Sequence, residues 1–178
     1  MEETSGKPFL RPALIYGAIL GFVSIFFSLV FYFLGLTFKG WTGWVSFAAG
    51  IVVLAYCLFA YRNEYLGGYA SYGRLFLMAV VIGLIASILS TAYTYLLYAV
   101  IDPDLMEKTR IMAEERILAN RRIPENMKDD VIEQMQDRMT LSRTLISALV
   151  GGTILYAIFG LIISAFAKKE ENPAGQAM

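Results

Sequence analysis

Four stretches of this chain carry no charged side chain: Ala13 to Phe38, Trp41 to Tyr61, Leu75 to Ile101 and Leu145 to Ala167. Each reaches the ~20 apolar residues that an α-helix needs to cross ~30 Å of hydrocarbon. The chain therefore reads as an all-α, multi-pass membrane protein. All 15 Lys/Arg and all 15 Asp/Glu fall outside those stretches. The spans thus lack the ionisable residues that mark ion paths and proton relays.

Composition narrows the function classes. Hydrophobic residues make up 57% of the chain and charged residues 17%, too apolar a mixture for a soluble domain of this length. There is no histidine, which removes the side chain most used for acid/base work at neutral pH and the commonest nitrogen ligand for metals. Cys57 is the single cysteine, so no intramolecular disulfide and no Cys/His metal spacing exists; it reads as a small packed hydrophobe. Balanced charge without a basic block argues against nucleic acid as a partner. The expectation is a non-enzymatic protein with no cofactor and no metal, whose surroundings are the lipid bilayer.

Lys7 and Arg11 precede the first apolar run in the manner of a signal peptide. That run is too long for a signal h-region, and no A-x-A-like site follows before Lys39. It reads as an uncleaved first helix. The expected layout is an antiparallel bundle of four transmembrane helices at 13–38, 41–61, 75–101 and 144–167. An extramembrane, amphipathic helical hairpin fills 102–143 between helices 3 and 4, and short tails occupy 1–12 and 168–178.

Orientation follows from Lys/Arg near the helix ends. One side collects six: Lys7, Arg11, Arg62, Arg74, Lys168 and Lys169. The other holds nine, namely Lys39 and eight spread through 102–143, where ten acids outnumber them. The raw count favours the second side as cytoplasmic, but most of its charges lie away from the helix ends. Arg11, Arg62, Arg74 and Lys168/Lys169 abut spans directly, while the third span exits into Asp102 and Asp104. Weighting by position puts both termini in the cytoplasm and the 102–143 segment outside it.

Helices in lipid associate through close backbone approach and interhelical hydrogen bonds, which favour small residues at contact faces. Gly17 and Gly21 on span one, Gly83 and Ser87 on span three, and Gly152 and Gly160 on span four form such stripes. They suit intrachain packing, and Gly17-x-x-x-Gly21 also suits the seam of a homo-oligomer. Towards the end of span three, Ser90, Thr91, Tyr93, Thr94, Tyr95 and Tyr98 cluster. Thr91, Thr94 and Tyr95 are candidates for lining a cavity, although tyrosines near a span end also fit the interfacial aromatic belt. Trp41, Trp44 and Tyr61 read as interface anchors.

The Arg62 to Arg74 loop is rich in glycine and tyrosine, and Gly67-Gly68 suits a tight turn. It lacks the Lys-Ser/Thr of a phosphate-binding loop. In the 102–143 segment, Asp102-Pro103-Asp104 reads as a helix start with Asp102 as the cap. Leu105, Met106, Met112, Ala113, Ile117 and Ala119 share an arc, and Pro124 restarts the chain. Met127, Val131, Met135 and Met139 then recur at i+4, with Lys128, Asp129, Asp130, Glu133 and Asp137 on other faces. This methionine stripe is a candidate partner contact, or the seam of helix-to-helix packing; as a metal site it would lack Cys and His.

The order of short motifs along the chain is familiar. Lys7-Pro8-Phe9 leads to Ala13-Leu14-Ile15-Tyr16-Gly17, and Gly68-Tyr69-Ala70-Ser71-Tyr72-Gly73 precedes span three. Tyr98 to Ile101 runs into Asp102-Pro103-Asp104-Leu105, and Gly160-Leu161-Ile162-Ile163-Ser164-Ala165-Phe166 precedes Lys168-Lys169. In this order and spacing the chain resembles the domain of unknown function 4199 family over nearly its whole length. The resemblance implies a four-span bacterial inner-membrane protein, typical of Bacteroidetes. It carries over no catalytic residue. The leading functional expectation is an interaction, scaffolding or assembly subunit with a membrane-protein partner; the alternative is a small transporter or lipid-handling protein whose path runs along the hydroxyls of span three.

Overall fold

A computed structural model describes residues 8–169; residues 1–7, with Lys7, and 170–178 lie outside the described residues, and with them most of both expected tails. Six α-helices follow one another: α1 (Leu10–Phe33), α2 (Gly40–Tyr65), α3 (Tyr72–Leu96), α4 (Leu105–Leu118), α5 (Glu125–Arg138) and α6 (Leu141–Ala167). A single π-helical turn at Leu97–Ile101 extends α3. No strand forms among the described residues, apart from one isolated bridge between Ala70 and Lys169. Four helices are long and apolar enough to cross a membrane: α1, α2, α3 with its π-turn, and α6.

The helix ends depart from the charge-free stretches for local reasons. Span one stops at Phe33, short of Phe38, because Gly35 takes a left-handed φ of 66°. The Gly35 N–H then donates to Tyr32 O at 3.0 Å and the Leu36 N–H to Phe31 O at 2.8 Å, the pairing that closes a Schellman cap. Helix α2 runs past Arg62 to Tyr65, so the expected 62–74 loop shrinks to a turn at 66–71. Gly67 and Gly68, at φ 66° and 87°, make that turn, and charge did not end the helix because side chains at a span's end reach the interface. Asp102 does not cap α4. Its carboxylate instead accepts from the Tyr32 hydroxyl at 3.3 Å and pairs with Lys108 at 3.2 Å.

Helix α3 runs through the core, burying Leu75, Met78, Ala79, Ile82, Gly83, Ala86 and Ser87. Small residues set its approach to both neighbours. A Cβ on Gly17 would stand 2.6 Å from Ile85, and one on Gly21 2.8 Å from Leu89. On the other flank, a Cβ on Gly83 would stand 2.5 Å from Tyr156 Cβ, and one on Gly160 2.5 Å from Ala79 Cβ. The backbones are close enough that nothing larger fits, the condition under which dispersion contacts hold apolar helices together in lipid.

Polar groups tie the helix ends. At one end, the Tyr61 hydroxyl donates to Pro8 O at 3.3 Å and accepts from Arg74 Nε at 3.0 Å. Arg62 Nη1 donates to Ala167 O at 2.8 Å, on the last turn of α6. Outside the spans, Arg110 donates to Met139 O at 2.8 Å, and Lys128 Nζ donates to Leu118 O at 2.7 Å. Lys128 thereby supplies a cation to the C-terminus of α4. It is only 6% exposed, and with Ile132 it forms the buried edge of α5, whereas Met127 is 50% exposed. The methionine stripe is thus rotated from expectation: Val131, Met135 and Met139 are half-buried, but Lys128 replaces Met127 on the covered face. Its aliphatic stem behaves as an apolar side chain while its tip finds a carbonyl.

Candidate functional site

Between the spans lies a cleft of about 220 Å³ whose lining includes hydroxyls from four helices: Ser24 of α1, Ser46 of α2, Ser87 and Ser90 of α3, and Tyr156 of α6. In lipid, a helical Ser or Thr normally donates back to the carbonyl four residues earlier. Ser24 does so to Leu20 O at 2.9 Å, Thr94 to Ser90 O at 2.8 Å and Thr153 to Leu149 O at 2.8 Å. Ser87 does not. It is 3% exposed, and its hydroxyl has no hydrogen-bond partner.

Two glycines make room for this arrangement. A Cβ on Gly152 would stand 2.7 Å from Ser87 Oγ, and one on Gly50 3.1 Å from the Tyr156 hydroxyl. Tyr156 spans the cleft to within 3.4 Å of Ser24 Oγ. Since Ser24 spends its proton on Leu20 O, Tyr156 is the donor across that gap. Burying an unpartnered hydroxyl costs about 1–3 kcal/mol. The cleft therefore presents one buried hydroxyl, that of Ser87, in want of a partner.

A second cavity, of about 380 Å³, opens at the turn between α1 and α2; Ser28, Thr37, Lys39, Thr42, Ser46 and Arg116 are among its lining residues. Ser46 lines both cavities, which therefore lie against the same residue of α2. A third, almost wholly apolar groove of about 480 Å³ lies between α3 and α6, where Thr91 and Tyr95 stand among Ile88, Leu145 and Leu149.

The sequence-derived candidates divide accordingly. Ser87 lines the cleft and Gly152 abuts it. Thr91 and Tyr95 sit together in the apolar groove, and the Thr91 hydroxyl is likewise unpartnered. Thr94 lines none of these cavities and is bonded within its own helix. Gly17 and Gly21 face α3 of the same chain. Met127, Val131, Met135 and Met139 lie on or beside α5, away from the cleft. Ser24 and Ser46 were missed, because a stripe search treats one helix at a time.

Among the described residues, no cluster of His, Cys, Asp or Glu side chains suits a metal ion. No curated protein and no solved structure matches the chain. A family model described as "Protein of unknown function (DUF4199)" matches residues 15–169. That match takes in most of α1, the other three spans, the lining of all three cavities and the α4–α5 segment, and on its strength the chain belongs to the DUF4199 family.

Proposed function

We propose that this chain is a non-enzymatic bacterial inner-membrane protein that holds the polar part of a membrane-dissolved guest in the cleft, a lipid-handling role. In this reading the four spans form an antiparallel bundle, with α4 and α5 as an extracytoplasmic helical hairpin. Both termini are cytoplasmic: Arg11, Arg62, Arg74, Lys168 and Lys169 gather at the end where Tyr61 bonds Pro8 O and Arg62 bonds Ala167 O, in keeping with the positive-inside rule.

The observation that carries the reading is the buried, unpartnered hydroxyl of Ser87 beside four other hydroxyls. A guest's hydroxyl, amide or ester would satisfy it. The lining offers hydroxyls and apolar groups, with no acid or base that exchanges protons near neutral pH, which suits holding a molecule more than converting it. Native mass spectrometry of the purified full chain in mild detergent tests this. Wild type should retain a membrane lipid or other small molecule as a discrete added mass, and Ser46→Leu, which fills the junction of the two cavities, should lose it. A wild-type protein that remains bare, or a Ser46→Leu variant with unchanged retention, contradicts the reading.

A second role, as an interaction subunit, has its own support. Ile111, Leu118 and Met127 lie outside the spans and are each about half exposed. Crosslinking in intact membranes followed by mass spectrometry should recover a membrane-protein partner or a second copy through α4 or α5. Recovery of monomer alone removes this role.

A further inference from the structure

The mouth between α1 and α2 is positively charged. Lys39 and Arg116 both line it and no carboxylate does. On the outer segment Lys108, Arg110 and Lys128 have carboxylate partners, whereas Arg138 and Arg143 line a separate cavity that also lacks a carboxylate. Neither Lys39 nor Arg116 forms an ion pair among the described residues, and Arg116 has one hydrogen bond, a 3.4 Å donation to Phe38 O.

Backbone geometry adds to the positive field. Helix α2, 26 residues long, begins here, with Lys39 in an extended N-cap conformation and no side chain capping the first amides. The Lys39 N–H donates to Leu36 O at 2.9 Å and the Thr42 N–H to Lys39 O at 3.1 Å, which leaves the Gly40 and Trp41 N–H groups and the positive end of the helix dipole at the opening. The hydroxyl of Thr42 is committed to Lys39 O at 2.6 Å and leaves those amides alone. Gly40 and Gly43 have nothing within 4 Å of where a Cβ would stand, so an incoming group meets bare backbone. Trp41, beside the mouth, packs edge-to-face on Phe31 at 6.0 Å, and a tryptophan at a span end suits headgroup level. Ser46, which lines the mouth, also lines the cleft that holds the buried, unpartnered hydroxyl of Ser87.

We infer that the mouth binds a phosphate-type anion, taking charge-assisted hydrogen bonds from Lys39, Arg116 and the α2 amides. The guest of the cleft is on this inference an anionic amphiphile whose remainder passes Ser46 towards Ser87. The inference rests on the cleft reading for the guest and adds its charge. Lys is a point charge and Arg a planar fork, a pairing suited to a tetrahedral oxyanion. The same chemistry is offered by a phospholipid headgroup and by free phosphate.

The test uses the full chain in mild detergent, incubated with equal amounts of phosphatidylglycerol and phosphatidylcholine, with retained lipid read by native mass spectrometry. Each interfacial cation contributes about fivefold towards an anionic lipid, so wild type should favour phosphatidylglycerol by roughly tenfold or more. The double variant Lys39→Gln with Arg116→Gln should fall to near parity, while Lys168→Gln with Lys169→Gln, at the opposite end, should keep the preference. Added millimolar inorganic phosphate separates the sources: a preference that phosphate erases assigns the site to the free anion, and one that survives assigns it to the lipid headgroup. Equal retention of both lipids by wild type, or a preference unchanged in the Lys39/Arg116 variant, overturns the inference and leaves the cleft reading standing. Retention of neither lipid overturns both.

Discussion

Ser87 keeps a hydroxyl that neither its own helix nor a neighbouring side chain satisfies, so its contributions to stability and to binding should have opposite signs. Removing an unpartnered buried hydroxyl relieves a desolvation penalty. Ser87→Ala should leave thermal stability in detergent unchanged, or raise it by about 1 kcal/mol, while it weakens retention of the guest. A clear loss of stability would mean that the hydroxyl already has a partner. Lys128 presents the reverse case, a charged residue that packs like an apolar one and closes α4 at Leu118 O. Lys128→Met keeps the stem and loses the bond, so α4 and α5 should loosen by about 1–3 kcal/mol. Hydrogen exchange at 119–127 should quicken while the amides of α3 stay protected. Unchanged exchange there would assign the tie between the two helices to Arg110 and Met139 instead.

Among the helices, close approach is set by small residues that a substitution can address singly. Gly83→Ala would place a Cβ 2.5 Å from Tyr156 Cβ, so α3 and α6 should separate at a cost of about 1–3 kcal/mol. Gly151→Ala, with nothing within 4 Å, should be neutral or gain up to about 1 kcal/mol from helix propensity. Unfolding both variants in mixed detergent micelles compares them directly, and equal stability would show that α3 does not pack on α6 through Gly83. The existence and number of the apolar helices were legible in the sequence because a charge-free run of ~20 residues is a property of composition. Their ends were less so. Charge does not stop a helix at the interface, as Arg62, Asn63 and Glu64 within α2 show, whereas backbone geometry at Gly35 and Gly67 does. The rotation of the α5 stripe was hidden for a related reason, since a hydropathy pattern counts Lys128 by its charge and the fold uses its stem.

Across the whole molecule, the cleft requires four helices at once, and no single stretch of sequence contains it. Ser24, Ser46, Ser87 and Tyr156 are scattered over 24–156, and only their depths bring them together. Charge placement gives the frame in which those depths have a direction. On a Cys57→Ala background, Asn120→Cys should react with an impermeant thiol reagent in intact spheroplasts, and Ser71→Cys, in the α2–α3 turn, should be shielded until the membrane is opened. Equal labelling of the two would refute the four-span topology, and reversed labelling would invert the orientation. The most direct measurement of the cleft itself is the reactivity of Ser46→Cys, on the same background, towards a small hydrophilic thiol reagent added from the side of α4 and α5. Reaction at Ser46→Cys is expected, slowed by bound phosphatidylglycerol, with Ser164→Cys, buried on α6 and lining none of the cavities described, remaining inert. A Ser46 position as unreactive as Ser164, or one reached only from the opposite side, would contradict a hydroxyl-lined cleft entered between α1 and α2.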